Sequence, residues 1–224
     1  MHRPLFPDPS LAPGHPAGFV VGLAAEARLL HGCGRIGVGG GMPAGAAAAA
    51  ELLVAEGAGA LVSIGLAGGL DPSCRPGDII IPLSIWEAGA VLETDPALCA
   101  VLGGANAAAI AAADSPIASV ADKAALFRRS GAVAVDLESG AVARVACRHG
   151  LPFAALRVIC DPADRDLPPA ALAAIGAAGA IGLGRVLASL LRHPLQLPAL
   201  LRLAADAAAA RTTLRGAGRR LRGT

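Results

Sequence analysis

Three stretches of this 224-residue sequence bring together residue types that chemistry uses. Gly65-Leu66-Ala67-Gly68-Gly69-Leu70 runs on to Pro76-Gly77-Asp78-Ile79-Ile80-Ile81. Glycines there let backbone N–H groups come close to a ligand and form a nest for an anion. Val135-Asp136-Leu137-Glu138-Ser139 puts two acids where a strand gives way to a helix, and Arg157-Val158-Ile159-Cys160-Asp161 is followed closely by Asp164 and Arg165. Single acids at strand ends often serve as caps or surface charges; in chemistry they act as general acids or bases, or as acceptors for hydroxyls. Asp78 reads as a turn or strand-start residue. The five histidines, His2, His15, His31, His149 and His193, lack metal-ligand spacing. Cys160 has no histidine placed to activate it and reads as a small buried residue.

The elements that must hold these residues follow from patterning. Short β-branched runs alternate with alanine-rich segments, which predicts an α/β layered fold. Strands are expected over Phe19–Leu23, Ala60–Ile64, Asp78–Pro82, Ile117–Val120, Val133–Leu137 and Phe153–Cys160. Helices are expected over Pro43–Ala55, with proline near its start, over Pro96–Ala113, and over Asp122–Arg129 with Asp122 as cap. Two more are expected over Ser139–His149 and Pro168–Arg192, with a short helical turn through Glu26 and Leu30. Gly37–Gly41 is a glycine run, and Gly65–Gly69 reads as a turn, too rich in glycine for helix or strand.

Composition narrows the class. Residues are 54% hydrophobic but only 2% aromatic, and alanine and 29 glycines supply much of the apolar character. A mean hydropathy of +0.60 therefore does not imply membrane spans, which need about 20 consecutive strongly apolar residues. Ala97–Ala113 and Leu167–Gly184 are uncharged but interrupted by glycine, asparagine or proline. An odd, widely spaced set of five cysteines without a CxxC pair fits a reduced, cytoplasmic compartment. Residues 1–184 hold 11 basic and 16 acidic side chains, a net of −5; residues 185–224 hold 8 arginines against one acid, a net of +7. Every basic residue is arginine except Lys123, which reads as composition bias with no function attached. The organisation expected is a flexible arm over 1–18, one domain over 19–192 and a basic amphipathic tail over 193–224.

In order and spacing, GLAGG with GDIII, VDLE, and RVICD resemble the motifs of the nucleoside phosphorylase and nucleosidase superfamily. The resemblance spans roughly Phe19 to Arg192 and implies a three-layer αβα domain with a central mixed sheet, phosphorylase/hydrolase-like. It also implies roles. Asp161 matches the acid at purine N7, and Glu138 the carboxylate that grips the ribose 2′ and 3′ hydroxyls. Glu26 falls near an early glutamate that activates water in nucleosidases; the register there also admits Arg28, as an anion contact. Leu137 stands where a methionine usually meets the sugar. Arg157 would order a neighbouring acid, with Asp136 or Asp161 as its partner. Asp136, Phe153, Arg157, Gly65, Ala67 and Gly68 complete the expected substrate contacts, and Gly40, Gly41 and Arg28 are the phosphate-binding candidates. Leu66 replaces a loop Ser/Thr that binds phosphate or nucleophile, and Cys160 a serine, so water and phosphate both stay open as nucleophile.

Only thirteen residues separate Pro82 from Pro96, where related nucleosidases carry a longer segment over the base and 5′ group. The 5′ side of the ribose is therefore expected to be open and apolar. The GLAGGLDP-type loop, the DLES segment, compact size and arginine-bearing tail most resemble the hopanoid-associated phosphorylase group. That resemblance implies phosphorolytic release of adenine from adenosylhopane, with inorganic phosphate as co-substrate and no other cofactor or metal. A hydrolytic nucleosidase for methylthioadenosine or adenosylhomocysteine is the alternative, and a noncatalytic nucleoside or lipid binder a third. Arg211, Arg215 and Arg219 at i, i+4, i+8 beside Leu214 and Leu221 would form a basic stripe for the inner membrane surface; the plain alternative is a solvated helix. The tail lacks aromatics for nucleic-acid stacking, so none is expected to bind. A homo-oligomer is implied.

Overall fold

The computed structural model describes residues 16–174, 189 and 192–222. Its centre is a mixed sheet. β1 (Ala17–Val21) lies between β2 (Arg35–Val38) and β3 (Ala60–Gly69), parallel to both. β4 (Ile79–Ile80) runs antiparallel to β9 (Phe153–Asp161), which pairs in parallel with β3 from Leu61 to Gly68. The end of β3 passes to β8 (Ala134–Asp136), and β7 (Ala107–Ala112), β5 (Pro82–Glu87) and β6 (Ala90–Glu93) extend the sheet.

Helices cover both faces, as the three-layer expectation requires. α2 (Pro43–Ala55) and α5 (Ser139–Arg148) pack Ala46, Ala50, Leu53, Val142 and Val145 with Leu61, Ala155 and Ile159. On the opposite face, α1 (Ala24–Leu29), α3 (Pro96–Leu102) and a C-terminal helix, α7 (Leu197–Arg222), lie with Leu98 and Leu214 against Val62, Ile64, Leu156 and Val158. α4 (Val120–Ser130) and the short α6 (Pro169–Ala174) are further helices, and a 3₁₀ turn over Pro194–Gln196 precedes α7. Small residues explain how tightly the layers sit: a Cβ on Gly39 would lie 2.7 Å from Ala46 Cα. The apolar composition is thus a close-packing device.

Four expectations need correcting. Gly65–Gly69 is no turn; it continues β3, because β9 on one side and β8 on the other satisfy its backbone groups. The helix expected over Pro96–Ala113 stops at Leu102, where Gly103 and Gly104 take φ of 126° and 92°, and Ala107–Ala112 pairs as β7 with β5 and β8. Alanine's helix preference yields there to strand pairing. Ile117–Val120 forms no strand; Ser119 caps α4 by accepting the Asp122 N–H at 3.0 Å, so Asp122 is not the cap. The Gly37–Gly41 run also begins inside a strand, β2.

The segment from Pro82 to Pro96 is a β5–β6 hairpin turning at Ala88-Gly89, both with positive φ, as two-residue hairpins prefer. α7 is docked on the body: Ala210, Leu214, Ala217 and Gly218 are buried, and Arg222 donates to the carbonyls of Leu29 and His31 at 3.1 and 2.7 Å. The Leu214 end of its apolar stripe is spent on the core, while Arg215, Arg219 and Arg220 face solvent. Residues 1–15 of the expected arm and most of the helix expected over Pro168–Arg192 lie outside the described residues; the last two residues of that arm, Ala17 and Gly18, belong to β1.

Candidate functional site

Arg157 is the hub. It sits on β9 opposite Gly65 of β3 and is fully buried. A Cβ on Gly65 would collide with its Nη1, so this glycine provides room for a guanidinium. Nη2 pairs with Asp136 Oδ2 at 2.6 Å and donates to Ser63 Oγ at 2.5 Å; Nε donates to Ser139 Oγ at 3.1 Å; Nη1 reaches Glu138 Oε2 at 3.4 Å. The partner of Arg157 is therefore Asp136, with Glu138 beside it; Asp161 is held elsewhere.

Asp136 ends β8, and its Oδ2 also accepts the backbone N–H of Glu138 at 3.0 Å and of Ser139 at 2.9 Å. Through Oδ2 it anchors the first turn of α5 and the guanidinium, while its Oδ1, like Glu138 Oε1, is buried without a hydrogen-bond partner. Glu138 comes next, 5% exposed, and its Oε1 is a buried oxygen with no hydrogen-bond donor. Gly22 makes room for it, since a Cβ there would lie 2.6 Å from Oε1. Burial raises the Glu138 carboxyl to about 7, against the pull of Arg157; Asp136 and Glu26 add to the rise, and the Gly41 amide opposes it. A buried, undersupplied carboxylate is a strong acceptor for hydroxyl donors. Leu137, half-buried between the two acids, belongs to none of the hydrophobic clusters.

Glu26 belongs to the first turn of α1, where its Oε2 accepts the Leu23 N–H at 2.9 Å. It is buried and faces Gly65, and burial raises its pKa while the Leu23 amide and Arg157 oppose the shift. Arg28, two residues on, points about 200° away around the helix and is exposed. Of the two candidates Glu26 is the one that faces Gly65 and Arg157, and Arg28, expected as an anion contact, lies at the surface. Gly41 reaches the site through its amide near Glu138; Gly40 and Gly41 both take positive φ, 78° and 76°, in the loop after β2.

Asp161 ends β9 past a bulge that pairs it with Gly68, whose missing side chain would have met Asp161 Oδ2 at 3.5 Å. Its carboxylate pairs with Lys123 Nζ at 2.7 Å. Burial raises the Asp161 pKa, and Lys123 and then Arg165 pull it back. Lys123 comes from α4, is fully buried, and was dismissed on sequence grounds as a quirk of composition. Its signal was being the lone lysine among arginines; the partners that explain it are carbonyls about 40 residues away, invisible in a motif. Ser63 and Ser139 were likewise missed.

Phe153 is corrected too. It opens β9, eight residues from Asp161 and about 25 Å by strand rise, and is buried in the core with Leu61. Ala67 is buried in the same cluster. Leu66, in place of the loop hydroxyl, packs toward the α1–α7 face. The Cys160 thiol is pushed up to about 12 by burial and by Asp161, which excludes it as a ready nucleophile. Among the described residues, no group of three or more His, Cys, Asp or Glu could hold a metal ion.

Comparisons with known proteins bear on the family and the fold. The family model described as the phosphorylase superfamily matches residues 14–96 and 106–192. No curated protein matches the sequence significantly. Among solved structures, 5′-methylthioadenosine/S-adenosyl homocysteine nucleosidase from Helicobacter pylori, complexed with a pyrrolidine-based ligand, superposes with a TM-score of 0.63 at 15% identity, covering 80% of this chain and 98% of that one. S-adenosylhomocysteine nucleosidase from Streptococcus pyogenes gives 0.62 at 20% identity, covering 78% and 94%. Futalosine hydrolase from Helicobacter pylori gives 0.62 at 16% identity, covering 80% and 97%. At these identities the likeness establishes the fold.

Proposed function

The chain belongs to the phosphorylase superfamily, and from that premise we propose that it cleaves the N-glycosidic bond of a 5′-substituted adenosine. The observation that carries this reading is Glu138 Oε1, a buried carboxylate oxygen without a hydrogen-bond partner, held just past the end of β8 beside Arg157 and Glu26, while Asp161 ends β9 of the same sheet. Ribose hydroxyls are the donors that it lacks. Asp161, with its raised proton affinity, gives a proton to purine N7, so the base departs neutral. Negative charge at Glu138 then stabilises the oxocarbenium-like sugar. Leu137 lies against the ribose, and Gly65, Gly68 and Arg157 shape the floor.

The finer reading is phosphorolysis of an adenosine bearing a large apolar 5′ group, of the adenosylhopane type, at the inner surface of a membrane. The short β5–β6 hairpin, which leaves little chain to close over the 5′ side, supports the apolar group. Exposed Leu195, Leu197 and Leu201 near the start of α7, with arginines along it, support a lipid surface. Among the described residues no helix is long and apolar enough to cross a membrane. Phosphate would rest on the amides of Gly40 and Gly41. One observation favours hydrolysis instead: Glu26, Asp136 and Glu138 crowd one guanidinium, a poor setting for an added dianion and a good one for activating water. A cytoplasmic homo-oligomer completes the proposal.

The test is adenine release from methylthioadenosine and from an adenosine with a bulky 5′ hydrophobe, each with and without phosphate. Turnover of the bulky substrate only with phosphate is expected. Turnover without phosphate replaces phosphorolysis by hydrolysis, turnover of methylthioadenosine alone removes the lipid reading, and release from neither leaves a noncatalytic binder.

A further inference from the structure

Lys123 is the one lysine in a chain with 18 arginines, and it is among the most deeply buried side chains described. Three acceptors converge on Nζ: Asp161 Oδ2 at 2.7 Å, the Pro162 carbonyl at 2.9 Å and the Arg165 carbonyl at 2.7 Å. An ammonium has three donors on one atom and fills such a site completely, whereas a planar guanidinium fork does not fit acceptors gathered around a point. Both carbonyls belong to the segment that follows Asp161, so one side chain from α4 fixes the acid and the turn behind it. Arg165 is in turn tied to Asp206 of α7 at 2.6 Å.

We propose that Lys123 is the positioning residue of the acid: it pins Oδ2 of Asp161, leaves Oδ1 as the oxygen that carries the transferred proton, and steadies the carboxylate left behind. This rests on the glycosidic-bond reading above. In the step itself, the proton on Oδ1 bonds to purine N7 as the C1′–N9 bond breaks and its electron pair passes into the base. Phosphate supplies the new pair to C1′, or water does so as its proton passes to Glu26. Asp161 is left ionised against an unchanged ammonium and takes its next proton from solvent. Lys123 thus makes Asp161 a stronger acid than burial alone would. The other groups around Asp161 are Arg165 from the following segment, Asp206 from α7 and the adjacent Cys160 thiol.

Because the lysine is unique, ¹⁵N-lysine labelling of the whole wild-type chain gives one side-chain ammonium resonance. Its shift is expected to step as Asp161 titrates and to lose that step in Asp161→Asn. In Lys123→Met the alkaline limb of kcat/KM for adenine release is expected to move up by about one pH unit or more, with kcat down about tenfold or more. A resonance with no step removed by Asp161→Asn overturns the proposal in the unmodified protein, whether or not Lys123→Met folds. A folded Lys123→Met with an unmoved limb overturns it as well, since a merely structural lysine would leave the limb alone. A clear step in a wild-type protein that releases adenine from no nucleoside upholds the clamp and sinks the glycosidic-bond reading instead.

Discussion

At Glu138, burial lifts the carboxyl to about 7, while hydroxyl donors favour its ionised form. The free protein is therefore protonated there below neutrality. Expected kcat/KM for adenine release rises with pH to about 7, falling about tenfold per unit below it, and kcat shows the same limb at lower pH because bound ribose favours the carboxylate. The sign for stability is opposite: the folded carboxyl binds its proton more tightly than the unfolded one, so stability declines as pH rises from 4.5 to about 7. Glu138→Gln should flatten that decline in thermal melts while lowering kcat/KM about 100-fold or more. Gly65→Ala places a methyl against Arg157 Nη1 and should cost about 1–3 kcal/mol in chemical denaturation, with loss of adenine release. Asp161, Glu138 and Glu26, all buried acids, could be picked out of the sequence by motif order. Lys123 could not, because backbone carbonyls made its site. Arg28 was separable from Glu26 only once α1 gave them opposite directions.

Among the elements, those with ordinary patterning were legible and those set by neighbours were not. Pro43–Ala55 matches α2 because proline opens it and no strand competes. Ala107–Ala112 looked helical because alanine favours helix locally, and only pairing with β5 and β8 decides otherwise. The glycines of β3 looked like a turn because a sequence does not reveal that Arg157 and Asp161 occupy the space that their side chains would have taken. α7 was read as a peripheral tail from its charge, yet Leu214 is wholly buried beneath it. Leu214→Ala is expected to destabilise the protein by about 2–5 kcal/mol, measured by urea titration. Changing Arg215, Arg219 and Arg220 together to Gln should leave the melting temperature within about 2 °C, since surface changes cost little. If the helix contacts anionic lipid, the same triple change should abolish flotation with liposomes; unchanged flotation would place any membrane contact elsewhere.

The whole molecule is an acidic body closed by a basic helix. α7 packs against both β9 and α1, so it completes the face that carries Glu26, and a chain ending at residue 196 is expected to lose its cooperative thermal transition. Arg222 and Leu29 make their contact across 193 positions of sequence. During synthesis at about 5–20 residues per second, that distance is about 10–40 s of elongation. For this interval Leu30, Val62 and Ile64 have no α7 to cover them, and the helix that carries Glu26 has no latch. Until α7 has been made that apolar surface lies open, and a premature stop inside α7 should be as damaging to yield as one far upstream.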